Sequence, residues 1–193
     1  RLETFRILIS QFFKIKNNNF SNTANISSFN SYGVGRSAVW ISEPLSDNFI
    51  TISQNTFNNY FNGIVVWRNI LKSNTNSYID IYQNEIQAWG AGTVALAIGL
   101  FDVYHGSNGT ITIYENKIFN SYKGIMAMNV ANTDGWGIGS NEIEIRYSPA
   151  APINCAGIEL IDCEAAGIQY NCNIICTTPN IPSNPAADVA GIY

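Results

Sequence analysis

An all-β fold, wound as a stacked solenoid of about six parallel rungs, is what this amino-acid sequence predicts. Three observations predict it. A phrase of the form apolar–x–Ile or Tyr–x–x–Asn–x–apolar is written six times, its starts 37, 29, 32, 25 and 32 residues apart. Within a copy, apolar residues alternate with polar ones and then change parity around the Asn, as a sharply bent strand does. Between copies lies a second apolar run, most often opened by Gly–Ile.

In chain order the copies are FKIKNNNF (Phe13, Ile15, Asn18, Phe20), ITISQNTF (Ile50, Ile52, Asn55, Phe57) and IDIYQNEI (Ile79, Ile81, Asn84, Ile86). ITIYENKI (Ile111, Ile113, Asn116, Ile118), WGIGSNEI (Trp136, Ile138, Asn141, Ile143) and IQYNCNII (Ile168, Tyr170, Asn173, Ile175) follow. Asn suits the bend because it tolerates left-handed backbone angles. If all four marked side chains point inward, Asn18, Asn55, Asn84, Asn116, Asn141 and Asn173 form an internal ladder. Each amide then pairs with the next, because an unpaired buried amide costs about 1–3 kcal/mol.

The intervening strands are GIVVW (63–67), TVALAI (93–98), GIMAM (124–128), GIELI (157–161) and the closing GIY (191–193). Each rung is then strand, tight bend, strand, turn, strand and a longer loop, with rungs ~4.8 Å apart in parallel pairing. Residues 21–49, 144–156 and 176–190 read as long loops, placed to wall a groove or meet a neighbouring protein.

These residues resemble the right-handed parallel β-helix proteins of the pectate-lyase-like superfamily, with their N-x-I turn and Asn ladder. The resemblance covers most of residues 13–193 and implies that fold. It does not imply one function, because the fold carries polysaccharide lyases, glycoside hydrolases, esterases, phage tailspikes and non-catalytic stalks.

Composition narrows the classes. The 193 residues read as one domain; RLETFRILI enters the first copy without an initiator Met and GIY ends as a strand begins, so a piece of a longer chain is expected. No apolar run reaches the roughly 18 residues a membrane span needs. Net charge is −4 with 12% charged residues, and no basic patch exceeds Lys14 and Lys16, which argues against nucleic acid. The polar surface of Asn, Ser and Thr suits both turns and sugar hydroxyls.

Cys155, Cys163, Cys172 and Cys176 all fall in the last quarter of the chain. A disulfide clamping two rungs, or buried free thiols, are the open readings; the spacings and the remote lone His105 disfavour a metal site.

Few constellations carry chemistry. NTDG (132–135) resembles the NTD segment of polygalacturonase-type hydrolases, which would make Asp134 an acid or base, yet their Asp–Asp, Gly–His–Gly and Arg–x–Lys motifs are absent. Turn chemistry alone also explains Asp between Asn and Gly. His105 with Asp102 in FDVYHGSNGT is a second candidate pair, on a loop where a lone His is ordinarily solvated. Asp80 is outward at the second phrase position. Its neighbours Thr51 and Thr112 make no Ca²⁺ cluster, and none of Arg1, Arg6, Arg36, Arg68 or Arg146 joins three acids, so no cofactor is expected.

Two outward columns remain. Asn19, Thr56, Glu85, Lys117, Glu142 and Ile174 share the seventh position, where Glu85, Lys117 and Glu142 alternate in sign. Tyr82 and Tyr114 share the fourth, either as a platform for sugar rings or packed on one another. Missing motifs and low charge favour a non-catalytic extracellular or cell-surface module of a secreted bacterial protein, a stalk or adhesin that contacts polysaccharide or other surface proteins. A polysaccharide lyase or glycoside hydrolase and a trimeric phage tailspike segment are the alternatives.

Overall fold

The computed structural model describes residues 5–7, 12–21, 37–42, 49–71, 77–87, 94–105, 109–132, 135–146, 155–164, 166–169, 171–177 and 189–192. Every regular element among them is a β-strand.

One sheet holds six strands, Phe12–Lys16, Phe49–Ser53, Ser77–Tyr82, Gly109–Tyr114, Trp136–Gly139 and Ala166–Gln169, paired in chain order and all parallel. Parallel neighbours cannot be joined by a tight hairpin, so the remainder of each repeat supplies the crossover. The register sets Ile15, Ile52, Ile81, Ile113, Ile138 and Ile168 in one column. The pattern in Ser77–Tyr82, buried alternating with half-buried, gives this sheet one inner and one outer face.

After this strand the chain bends at a single left-handed residue: Asn17 (φ 58°), Gln54 (56°), Gln83 (54°), Glu115 (55°) and Ser140 (55°). The bend therefore sits on the residue before the ladder Asn, where the sequence reading had placed it on the Asn itself. The reason is a division of labour. The left-handed residue stays outside and keeps its own N–H paired across the sheet, as in Gln54 N to Tyr82 O (3.2 Å) and Gln83 N to Tyr114 O (3.2 Å). That one residue reverses the parity and turns the following Asn inward.

The other sheet has thirteen strands. Its first run, Asn19–Ser21, Thr56–Asn58, Glu85–Gln87, the start of Lys117–Asn132, Glu142–Arg146 and Cys172–Thr177, continues directly from the bends. Its second run, Phe5–Ile7, Ser37–Ser42, Asn62–Trp67, Val94–His105, the rest of Lys117–Asn132, Cys155–Ile161 and Val189–Ile192, contains the expected Gly–aliphatic strands. Ile70–Leu71 pairs with the end of Val94–His105. All of these pairs are parallel. Lys117–Asn132 belongs to both runs, so the sheet wraps around a core shared with the six-stranded sheet, an arrangement compatible with a parallel β-helix. Ser37–Ser42, buried along its whole length, was read from sequence as loop because SAVWIS lacks the Gly–Ile opening. Most of the three long segments expected as loops lies outside the described residues.

The core stacks like on like. Phe57, Ile86, Ile118 and Ile143 form one column, and Phe20 stacks on Phe57 with centroids 4.9 Å apart. Each fully buried aliphatic of this kind contributes about 1.5–3 kcal/mol. A second cluster, Trp40, Val65, Leu96, Phe101 and Met126, lies on the opposite side of the strands that carry Ile64 and Val66, since Val65 alternates with both.

Five of the six ladder positions are those expected. The sixth is Asn171, which accepts from Asn141 N (3.1 Å) and Nδ2 (3.0 Å), in place of Asn173. Ile168 pairs with Ile138, so it is the third residue of its copy and Ala166 the first. The misreading came from anchoring IQYNCNII on its most apolar residue. A two-residue slip preserves side-chain parity, so alternation alone does not detect it. The seventh column then ends on Cys172, paired with Glu142, where Ile174 was expected.

Candidate functional site

The outer face of the six-stranded sheet brings together three of the polar side chains that sequence singled out, Asp80, Tyr82 and Tyr114. Its second-position column runs Lys14, Thr51, Asp80, Thr112, Gly137, Gly167, and its fourth runs Lys16, Ser53, Tyr82, Tyr114, Gly139, Gln169. Tyr82 and Tyr114 are stacked, centroids 4.9 Å apart and planes 6° from parallel. They pack on one another, so two of their four faces are turned inward to the pair. The far face of Tyr114 has Gly139 as its column neighbour, which has no side chain to cover it.

Beside the rings, the Thr112 hydroxyl donates to the Asp80 carboxylate. Burial raises the Asp80 carboxyl above its ordinary value, and that hydrogen bond works against the rise. Burial, followed by the nearby Asp80, Tyr82 and Glu115, raises the Tyr114 phenol as well. Along the bends, Gln54 Nε2 donates to Gln83 Oε1 (2.9 Å) and Gln83 Nε2 to Glu115 Oε2 (2.7 Å). Among the described residues the face thus presents ring edges, one aromatic face with no ring stacked on it, amides and carboxylates.

The pair Asp102 and His105 is taken apart. Asp102 sits at a left-handed bend (φ 52°), accepting from Asn129 Nδ2 at 2.9 Å, with Arg68 Nε 4.0 Å from its other oxygen. Three residues on, Val103 is buried, Tyr104 is 49% exposed and His105 is fully buried. His105 is therefore inside the fold at the end of a strand, not on a solvated loop. Its Nδ1 lies 3.2 Å from Ser77 Oγ, its buried Nε2 has no hydrogen-bond partner among the described residues, and burial pushes the imidazole down to about 4. Asp134 lies outside the described residues.

Cys163 is a free, half-buried thiol that donates to the carbonyls of Ala127 (3.4 Å) and Ile161 (3.3 Å), and burial raises it above its ordinary value. The side chains of Cys155, Cys172 and Cys176 lie outside the described residues. In the charge column, Glu85 pairs in backbone register with Lys117, and Lys117 with Glu142, but the Glu85 carboxylate accepts from Gln87 on its own strand. Among the described residues no three His, Cys, Asp or Glu side chains gather as a metal site, and no helix is long and apolar enough to cross a membrane.

Sequence reading missed the pair Lys123 and Glu159, in contact although only 8% and 7% exposed. Aligning KGIMAM on AGIELI would have shown that the two fall on adjacent strands. It also missed Ser77, which flanks His105 and carries no motif, and it read Asn132 only as the first residue of NTDG.

No protein-family model, curated protein or solved structure matches this chain. Fold and site define an all-β protein of parallel sheets with a polar, aromatic outer face.

Proposed function

We propose that the chain is a right-handed parallel β-helix module of a secreted or cell-surface protein, a non-catalytic stalk or adhesin segment that contacts carbohydrate through the outer face of its six-stranded sheet. The coil reading rests on strands that pair parallel in chain order and on a ladder that joins every copy. The handedness follows the general rule that about 98% of parallel crossovers are right-handed.

The observation that carries the carbohydrate reading is the Tyr82–Tyr114 stack ending against Gly139. A pyranose ring laid on the free face of Tyr114 would continue the stack by one repeat, with Gln169 and Glu115 offering hydrogen bonds to its hydroxyls. The test is retention on immobilised neutral and acidic polysaccharides. Retention of the native chain, lost in Tyr114→Ala while Tyr104→Ala retains it, is expected; retention indifferent to Tyr114 overturns the reading.

Asp80 favours a second reading, a polysaccharide-cleaving enzyme. A carboxyl raised by burial above its ordinary value, beside Tyr114, is shifted in the direction a general acid needs. New reducing ends or unsaturated sugars that vanish in Asp80→Asn or Asp134→Asn would establish it in place of the first.

A further inference from the structure

We propose that His105 is an acid-responsive lock at the corner formed by Ser77, His105, Gly109 and Asn132, so that protonating this one imidazole loosens their contacts while the rest of the sheet holds. This inference is independent of what the outer face binds.

The geometry comes first. The ring is fully buried, Nδ1 is engaged by Ser77 Oγ at 3.2 Å, and Nε2 has no partner among the described residues. Gly109, the opposite side of the corner, is packed against it: a Cβ there would stand 2.9 Å from His105 Cβ. One strand further on, Asn132, paired with His105, donates Nδ2 to the Gly109 carbonyl at 2.8 Å. Ser77, His105, Gly109 and Asn132, all at strand ends, therefore meet in one small polar cluster.

Nothing among the described residues is placed to receive a second N–H or to balance a charge. From Ser77–Tyr82, Ser77 and Ile79 face inward, while Tyr78, Asp80 and Tyr82 lie on the outer side. From Gly109–Tyr114 the buried residues are Gly109, Ile111 and Ile113; Tyr114 is outside on Tyr82. On Lys117–Asn132 the basic Lys123 is engaged by Glu159, and Lys117 is exposed. On the histidine's own strand, Asp102 and Tyr104 point outward to Asn129 and to solvent.

With no counter-charge among the described residues, an imidazolium buried in this place drives the ring out or loosens these contacts. The ring's displacement to about 4 from 6.5 then means that at pH 5 the open form gains roughly 20-fold on the closed form relative to pH 7. The sign is fixed: the closed corner is fully favoured above pH 6.5 and loses ground as pH falls towards 4.

The chain has one histidine, so a single imidazole resonance reports the event. Amide hydrogen exchange at pH 7 and pH 5, corrected for the intrinsic rate, should show Tyr104, His105, Gly109 and Asn132 losing protection roughly 20-fold. Ile52, Ile81 and Ile113 should keep theirs. In His105→Leu the pH dependence at the corner should disappear. Equal protection at both pH values, or the same loss in His105→Leu, overturns the proposal. Should the leucine variant not fold, the native chain decides alone. An imidazole that titrates together with the loss of corner protection supports the lock; one that titrates near 6.5 with protection intact refutes it.

Discussion

Asn84 gives both its backbone N–H and its side-chain Nδ2 to one atom, Oδ1 of Asn116, each at 3.0 Å. Asn116 in turn donates Nδ2 to the Ile81 carbonyl at 2.9 Å and to Asn141 Oδ1 at 3.0 Å. The same unit joins Asn18 to Asn55, Asn55 to Asn84, and Asn141 to Asn171. Every amide of the ladder from Asn55 to Asn141 is partnered by its neighbours, which is what allows a polar column inside a core of isoleucine.

Asn116→Ala should strand three buried groups at once: two donors of Asn84 and the Ile81 carbonyl. With unpaired buried groups costing about 1–3 kcal/mol each and strand relaxation recovering part, a loss of about 3–5 kcal/mol is expected. At roughly 2–4 °C per kcal/mol for a chain this long, that is a drop in Tm of roughly 10 °C or more. Asn171→Ala should lose clearly less, because Asn171 is only part-buried and water can replace it. Urea unfolding of the two variants tests the order; equal losses would mean that the ladder's burial is not the source of its effect.

Glycines at two strand positions should behave oppositely. A Cβ on Gly124 would stand 2.4 Å from the Gly157 carbonyl oxygen and 2.6 Å from Ile143 Cγ2, both held by the next repeat. On Gly137 the nearest atom is the Gly167 carbonyl oxygen at 3.6 Å, an ordinary contact. Gly124→Ala should destabilise by about 1–3 kcal/mol or more through overpacking. Gly137→Ala should be neutral or stabilise by about 0.4–1 kcal/mol through the unfolded chain. Thermal melts of both variants distinguish these outcomes, and a harmless Gly124→Ala would contradict the close approach of the strands.

What sequence made legible, and what it did not, follows from these contacts. The ladder residues Asn55, Asn84, Asn116 and Asn141 were readable because the bend fixes their distance from the preceding Ile. Asn171 was not, because Asn173 keeps the same parity and only pairing across repeats separates the two. Tyr82 and Tyr114 were readable as outward neighbours, but their face-to-face packing depends on ring rotation, which spacing does not encode. His105 was misplaced because its inward direction depends on the left-handed turn at Asp102, a residue with no glycine to mark it.

Asp80 supplies a pH test. Its carboxyl is raised in the folded chain, chiefly by burial, above the ordinary 3.8. The fold therefore holds this proton to higher pH than the unfolded chain does. The group's stabilising share is fully present below pH 3.8 and is lost as pH rises through the raised folded value. Asp80→Asn keeps an acceptor for Thr112 and cannot ionise. It should match the native chain at pH 3 and melt higher at pH 7; a lower melting point at pH 7 would mean that the carboxylate is stabilising.

Lys123 and Glu159 face each other across adjacent strands, where Lys123 pairs with Ala156 and Met126 with Glu159, so the long lysine stem reaches diagonally to the carboxylate. Leu96 and Met126 belong to the apolar cluster on this side of the strands. Two charges taken from water here are tolerable only together, because each is the other's counterion. Lys123→Met should leave an uncompensated carboxylate and lose about 3–5 kcal/mol. The double variant Lys123→Met with Glu159→Leu should recover most of that loss, since an apolar pair of similar volume suits this setting at least as well. Raising salt from 0.1 to ~1 M should change the native chain's unfolding midpoint little through this pair, because burial shields it from screening. Denaturant curves for the two singles and the double form the test. A double variant as unstable as the worse single would show that the ion pair itself, rather than the avoidance of a lone buried charge, holds these strands together.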